Sequence, residues 1–525
     1  MLKTINKAFF SHAYQQYLAK DVPILFDQQK SLGAQQECLH TLVEQAKSTN
    51  FGKEHAFREI AHLQKFDQQY TFFQDHVPIS DYEMLQAYIA HIKKWAENIL
   101  RTWATKYLST TSGTVSGKKY IPITPASMKD QMDIGKNAIA ACFGHLDPKP
   151  QMWKMFFLSW SPQLSTEWSV IPHGRLSWIV HNETPALISA FAKSPTYKTN
   201  CIEDFGAKID AITTEHLKAP KQLTMIAGIP SYLKDYIEAM LTKWNKATLK
   251  EVLPNLSMLV IWGVNPAPYK AELMRLLGDP TLPCVETYPA SEGFIAYQDT
   301  HYPLNEQHNG MLLQTHKGIF FEFIPLEDYA HGELTPQHRR LWLGEIEIGK
   351  PYALILNTNA GLRWYEIGDV VTFTSLNPYR IKFSGRTWNF ISAFGEHVIE
   401  PEIQSLAEIA NQHGVLIEEY TVAPHTDGEQ YHEWFVELSG TTLPTGEQLA
   451  AACHAMDVAL QQKNEYYRDL RQAWTLLPLQ IRVLKPWSCS WYMQAQPGFD
   501  PQKKLPHLRD DRKIAEWFEE NSLVG

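Results

Sequence analysis

From residue 126 to 300 helix-like stretches alternate with short apolar runs, the clearest being Leu256–Val264 and Pro283–Tyr288. Runs this short, bounded by turn residues, read as strands. Strands that alternate with helices assemble into sheets covered by those helices, so the middle of the chain reads as α/β.

The flanking regions follow other patterns. Residues 1–100 read as mostly helical. There Ser80 and Glu83 have capping-box spacing, and Tyr82, Leu85, Tyr88, Ile89, Ile92 and Trp95 then recur at helical spacing as a core-facing stripe. Residues 311–384 are β-rich and barrel-like. Met311–Gln314 and Ile319–Ile324 flank His316-Lys317-Gly318 as a hairpin, and Gly344–Ile348, Tyr352–Asn357 and Arg363–Thr374 follow between Gly, Asn and Pro turns. Beyond 385 the pattern is a small α+β unit. It has a helix over Pro401–Ala410, strands over Val415–Ala423 and Trp434–Leu438, one long helix from Gly446 to Trp474, a strand over Leu479–Leu484 and a terminal solvated helix face, RDDRKIAEWFEE.

The expected architecture is therefore α/β with α+β. A large N-terminal domain over 1–384 holds helix-covered β-sheets plus the barrel-like section, and a small α+β domain covers 385–525. A chain of 525 residues is too long for a single core, which agrees with this division.

Charge and cysteine usage narrow the function. The net charge is −9 and no dense Lys/Arg block occurs, so the basic footprint of a nucleic-acid binder is missing. The six cysteines at 38, 142, 201, 284, 453 and 489 include no CxxC pair, which argues against a zinc site or a disulfide framework. The N-terminal stretch has no continuous apolar core of a signal peptide. No run of about 18 apolar residues is present, so no membrane partner is expected. A cytoplasmic enzyme with reduced thiols is the expectation.

Four segments carry chemistry. STTSGTVSGKK, Ser109 to Lys119, combines small residues, hydroxyls and two lysines. Small residues let backbone N–H groups approach phosphate oxygens, and lysine adds charge. Alone, such a stretch is more often a plain loop, and it is not the Walker spacing. ETYPASEG, Glu286 to Gly293, ends a strand in a turn that presents Tyr288, Ser291 and Glu292. Tyr can stack on a base, and Glu can hold a hard cation. RWYEIGDVV, Arg363 to Val371, interrupts a strand with Gly368-Asp369 and so exposes a carboxylate able to accept two ribose hydroxyls. A lone Gly-Asp more often supports its own turn. FSGRTWNFISAFGEHVIEPEI, Phe383 to Ile403, joins the β-rich section to the C-terminal unit and carries Arg386.

In this order and spacing the four segments resemble the acyl-adenylate-forming superfamily. Within it they are most similar to the auxin-responsive acyl-acid amido synthetase (Gretchen Hagen) family, including its bacterial members. TNFGKEHAF at 49–57, VPISDYE at 77–83, GIPSYL at 228–233 and Pro254-Asn255-Leu256 extend the likeness over nearly the whole chain. The resemblance implies that Ser112, Gly113 and Thr114 hold the ATP phosphates with Lys119 at the loop's end. It implies that Tyr288 meets the adenine with Ser291 beside it, that Glu292 binds Mg²⁺, that Asp369 binds the ribose and that Arg386 contacts the nucleotide from a hinge. It further implies that Lys504, in GFDPQKKLPHL, is a mobile catalytic lysine on a mobile C-terminal domain, with Glu292 as its catalytic partner. His507 stands where an Arg often follows the QxKxP proline, and His397 stands where plant members carry a Lys.

The function so implied is ATP-dependent activation of a small carboxylic acid, with release of pyrophosphate, then acyl transfer to an amine such as an amino acid. A coenzyme A ligase shares the first step and differs in the acceptor. A nucleotide-binding protein without catalysis shares only the motifs. Trp160, Trp168, Arg175 and Trp178 are candidate linings for the acyl group, although most of these Trp fit a core better and are not taken as site residues.

Overall fold

The computed structural model describes the chain except for residues 1, 95–97, 103, 115–116, 146–153, 158–163, 168, 186–188, 190–191, 203, 264–268, 304–305, 307–308, 329–337, 388–389, 397, 440–442 and 496–504. Trp95, Trp160, Trp168, His397 and Lys504 therefore lie outside the described residues. The described chain divides into two compact units, Met1–Thr111 with Lys119–Thr387, and Ser112–Lys118 with Trp388–Gly525.

The large unit begins with helices, among them Leu2–Lys20, Gln28–Ala46, Phe66–His76 and Tyr82–Lys93. The stripe Tyr82, Leu85, Ile89 and Ile92 is buried, with Tyr88 half-buried. The helix start differs from the capping-box expectation. Asp81, not Ser80, caps it, its carboxylate accepting from Met84 N at 2.9 Å. Ser80 is engaged elsewhere: its hydroxyl donates to Arg363 O at 2.7 Å and its backbone bonds Trp364 and Glu366. A residue held by a distant strand cannot also fold its hydroxyl back onto its own helix.

Next come β1 (Tyr107–Thr114), β2 (Gly117–Ile123), β3 (Met155–Phe157), β4 (His173–Gly174), β5 (Lys193–Ser194), β6 (Met225–Gly228), β7 (Met258–Ile261) and β8 (Pro283–Pro289). β9 (Phe294–Tyr297), β10 (Tyr302–Pro303), β11 (Met311–Leu313), β12 (Ile319–Pro325), β13 (Leu341–Trp342), β14 (Pro351–Thr358), β15 (Tyr365–Leu376) and β16 (Tyr379–Arg386) follow. β1 lies between β2 and β4 in a small sheet. The main sheet runs β13-β12-β14-β15-β16-β11-β9-β8-β7-β6-β3-β5, with β10 on β8.

One half of this sheet is parallel, from β5 through β3, β6 and β7 to β8. The half from β8 through β9 and β11 to β16, β15, β14, β12 and β13 is antiparallel. β8 belongs to both, pairing through Cys284–Glu286 with β7 and through Thr287–Pro289 with β9. Helices follow β6 and β7 as in βαβ units, and Pro230 sits in the first turn of Pro230–Trp244.

The barrel-like expectation is corrected. Among the described residues the β-rich section does not close on itself but continues the parallel half. The hairpin expected around His316-Lys317-Gly318 is not one either. β11 pairs with β9 and β16, whereas β12 pairs with β13 and β14. Leu343–Glu345 is a 3-10 turn rather than a strand. Local alternation marks a strand but not its partner, because pairing depends on contacts far apart in the chain.

The small unit contains β17 (Phe390–Ile391), β18 (Val398–Ile399), β19 (Ile417–His425), β20 (Tyr431–Leu438) and β21 (Gln480–Val483). β20 pairs antiparallel with β19 and parallel with β21. The helix expected to run from Gly446 to Trp474 is two, Gly446–Lys463 and Glu465–Gln472. Asn464 is extended between them and its side chain caps the second, accepting from Tyr467 N at 2.9 Å. The terminal helix, Lys513–Glu520, is more than a solvated face. Ile514, Ala515 and Phe518 are buried against Phe435, Leu484 and Cys489.

Candidate active site

Ligands of open α/β sheets bind beyond the carboxyl ends of the strands, where the topology changes. In this sheet that place is the end of β8. The strand enters buried through Cys284, Val285 and Glu286 and leaves half-buried at Tyr288. Reciprocal backbone hydrogen bonds between Ala290 and Gly293 close the turn into β9. This turn places Ser291 Oγ 2.9 Å from Ser109 Oγ of β1. The ETYPASEG segment and the strand entering the Ser/Gly-rich segment are thus neighbours, although 182 residues apart.

β15 supplies the next group. Between Ala353 and Ile355 its register with β14 shifts, so that Glu366 to Val370 faces a shorter stretch of β14. Gly368 within this bulge has φ +90°, a conformation that a side chain disfavours. Asp369 follows, buried, with its backbone paired to Arg386 of β16. Thr387 N donates to Gly368 O at 2.9 Å, and Thr387 Oγ1 donates to Glu366 Oε1 at 2.5 Å. The Tyr288 hydroxyl donates to the Asp369 carboxylate and joins the β8 turn to the bulge. The Tyr288 ring meets Phe383 edge-on at 6.3 Å.

The third group centres on Tyr365. Lys119 Nζ donates to its hydroxyl at 3.3 Å and lies 5.8 and 5.9 Å from the ring centroids of Tyr365 and Tyr82. Burial, and then the Glu292 and Glu366 carboxylates, push the Tyr365 phenol well above its ordinary pKa, so it remains a neutral donor and acceptor. Glu292 is itself buried. Lys119, Tyr365 and Glu292 therefore form one electrostatic group between β2, β15 and the β8 turn.

The structure brings together Lys119, Tyr288, Ser291, Glu292 and Asp369 through these contacts. Ser112, Gly113 and Thr114 lie at the end of β1. Arg386 is placed by its backbone opposite Asp369. Trp178, a candidate acyl lining, is a core residue packed edge-on to His181 and Tyr197, while Arg175 precedes its helix. Sequence reasoning missed Ser109, Tyr365 and Glu366. All lie inside the quoted segments, but their neighbours are distant in sequence, so no spacing rule singles them out.

Comparison with solved structures defines the class of fold. The chain resembles the acyl acid amido synthetase GH3.15 with a TM-score of 0.57 at 16% identity, covering 94% of this chain and 93% of that one. It resembles 2-hydroxyisobutyryl-CoA ligase, solved with 2-HIB-AMP and CoA, with a TM-score of 0.56 at 13% identity, covering 93% and 91%. The sequence then specifies the family. The GH3 family N-terminal domain matches residues 27–178, the central domain 312–386 and the C-terminal domain 401–513. The chain belongs to the GH3 family.

Among curated relatives, indole-3-acetic acid-amido synthetase GH3.8 of Oryza sativa subsp. indica is 30% identical over 181 residues, 32% of this chain and 29% of that protein. Indole-3-acetic acid-amido synthetase GH3.3 of Arabidopsis thaliana is 31% identical over 177 residues, again 32% and 29%. Jasmonoyl–L-amino acid synthetase GH3.5 of Oryza sativa subsp. japonica is 30% identical over 237 residues, 42% and 39%. The matched stretch spans less than a third of the length of the first two relatives. Among the described residues no helix is long and apolar enough to cross a membrane.

Proposed function

We propose that this chain is an acyl-acid amido synthetase, which adenylates a small carboxylic acid with ATP and passes the acyl group to an amine, most simply an amino acid. The observation that carries the reading is the meeting of Tyr288 with Asp369 and of Lys119 with Tyr365 around the β8 turn, in a chain of the GH3 family. Tyr288 would meet the adenine and Asp369 the ribose hydroxyls. A carboxylate has about four lone-pair positions, so accepting from Tyr288 leaves room for a ribose diol. Ser112, Gly113 and Thr114 would offer backbone N–H groups to the phosphates, with Lys119 behind them and Ser291 bridging to β1 through Ser109. Arg386, paired with Asp369 across β15 and β16, would contact the nucleotide.

Activation brings a carboxylate to the α-phosphate, so two anions must meet. Glu292 fits Mg²⁺ in its donor chemistry: Mg²⁺ is commonly held by one or two carboxylates together with substrate phosphates. When bound it would neutralise charge on the leaving pyrophosphate. Lys504 would offset charge on the α-phosphate, and no Ser or Cys nucleophile is needed because the amine attacks the mixed anhydride directly. A small domain that closes over the adenylate would exclude water from it.

The likeness to a CoA ligase keeps a second acceptor, a thiol, in play, since fold alone does not choose between them. Family membership favours the amine. The test is ATP–pyrophosphate exchange with indole-3-acetate, jasmonate, 2,4-DB and benzoate, followed by AMP release with amino acids or coenzyme A. Acid-dependent exchange with amino-acid-dependent AMP release supports the reading. Coenzyme A dependence would replace it with the ligase, and ATP binding without exchange would leave a nucleotide-binding protein.

A further inference from the structure

The stretch after the QxKxP motif is fastened to the small unit by an unusual clamp. Thr421 Oγ1 donates to Pro506 O at 2.7 Å, Val422 N to His507 O at 2.8 Å and Arg509 N to Val422 O at 3.0 Å. Leu505 and Leu508 are buried on either side of the His507 position. These contacts lay Leu505–Arg509 along β19 as a short parallel strip. Asp510 continues it, accepting from Ser392 N at 2.8 Å.

The His507 ring is gripped from two elements. Its Nε2 is 2.7 Å from Glu419 Oε1 on β19, and its Nδ1 is 3.2 Å from Glu400 Oε1 in the first turn of the helix Glu400–Gln412. The ring stacks on Tyr420 at 4.4 Å with an interplanar angle of 19°. The Nε2 contact is a hydrogen bond, whereas Nδ1 and Glu400 meet as an ion pair, so an imidazolium, with a proton on each nitrogen, offsets both carboxylates where a neutral ring serves only one. The charged and titratable groups facing it are Glu419 and Tyr420 from β19 and Glu400 from the helix. The Tyr420 phenol is itself pushed up by burial and then by these two carboxylates.

We propose that His507 is a positioning residue for adenylation. As an imidazolium held between Glu400 and Glu419, it fixes the strip that leads back, three residues earlier in the chain, to Lys504. The proposal rests on the role given to Lys504 above and adds what sets that lysine's anchor point. Support comes also from titration: Glu400 and then Glu419 hold the His507 pKa up at about 9. A folded pKa of about 9 keeps the ring an imidazolium through neutral pH, and the stability this contributes is full below the ordinary ~6.5. It is lost as pH rises through about 9. Deprotonation would leave two carboxylates facing a neutral ring.

The test is the pH profile of ATP–pyrophosphate exchange by the full chain, with whichever of benzoate, indole-3-acetate or 2,4-DB supports it. Exchange by the unaltered protein should fall above about pH 9, below the ordinary ~10.4 of a lysine. Glu419→Gln removes one carboxylate and should move this fall to lower pH. His507→Arg, permanently charged, should abolish it while keeping most of the rate at pH 7.5. His507→Gln should lower kcat about 10- to 100-fold with little change in the KM for ATP, the signature of misplacement rather than lost binding. Hydrogen exchange of the 505–510 amides, compared between the unaltered protein and His507→Arg at each pH, reads the clamp without any acid substrate. Identical pH profiles in all four proteins, or equal amide protection at about pH 9.5, overturns the proposal. If Lys504→Ala leaves exchange unchanged, the failure lies in the role of Lys504 instead.

Discussion

Tyr288 and Asp369 stand 81 residues apart in sequence, and the tyrosine hydroxyl donates to the aspartate carboxylate. Tyr288 lies near the end of β8, the strand shared by the parallel and antiparallel halves, and Asp369 lies within the bulge of β15. Their bond ties the shared strand to β15 beside the place proposed for a nucleotide. Asp369→Asn keeps the shape and removes the charge. Hydrogen bonds to a charged group contribute about 1.5–3 kcal/mol, so the KM for ATP should rise roughly 10- to 100-fold. Tyr288→Phe should raise it less. Initial-rate kinetics in ATP check both, and unchanged values in the two variants would remove Asp369 from the nucleotide site.

Gly368 positions that carboxylate. Its φ of +90° makes Gly368→Ala strained by roughly 1–2 kcal/mol. The variant should melt earlier and bind ATP more weakly than the unaltered protein, by thermal scan and by titration. A lower melting temperature with unchanged ATP affinity would separate the bulge from the site.

Glu292 is buried beside the Tyr365 and Lys119 pair. Glu292→Gln should slow pyrophosphate exchange by about 10²–10³-fold, the usual loss for one preorganised charge contact. The variant's circular dichroism should match that of the unaltered protein. Equal exchange rates would move the cation-holding role to another residue.

On the role proposed for Lys504, a charge used only as the α-phosphate is attacked, Lys504→Ala should slow adenylation by a similar ~10²–10³-fold while ATP binding changes little. Single-turnover formation of acyl-AMP, set beside equilibrium ATP binding, makes the distinction. Equal losses in both would make Lys504 a binding residue.

The terminal helix offers a stability test. Phe518 is fully buried against Phe435 and Tyr492. Phe518→Ala should destabilise the small unit by about 3–5 kcal/mol, the usual cost of emptying a buried aromatic site. Denaturant titration reads this, and a shift under about 1 kcal/mol would show that the helix is dispensable.

Much of the fold was legible in the sequence because it is local. The strand Pro283–Pro289 was expected to Tyr288, and the stripe from Tyr82 to Ile92 follows helical period. The errors were of pairing and of competing partners. β11 and β12 looked like a hairpin, yet each pairs with strands elsewhere in the sheet. Ser80 looked like a cap, yet Arg363 takes its hydroxyl and Asp81 caps instead. The Gly446–Trp474 stretch looked like one helix, yet Asn464 turns its side chain to a new N-terminus.

By itself the sequence determined the chemistry-bearing segments, their order and the family they place this chain in. Glycine, hydroxyl and charge at fixed spacing are properties of a short stretch of backbone. Tertiary structure alone decided that Tyr288 meets Asp369, that Ser109 meets Ser291, and that Lys119 rests on Tyr365. It also decided that His507 lies between Glu400 and Glu419. Hydrogen bonds and ion pairs act over a few ångströms. Which groups come that close depends on how the sheet orders its strands, and no local pattern encodes that order.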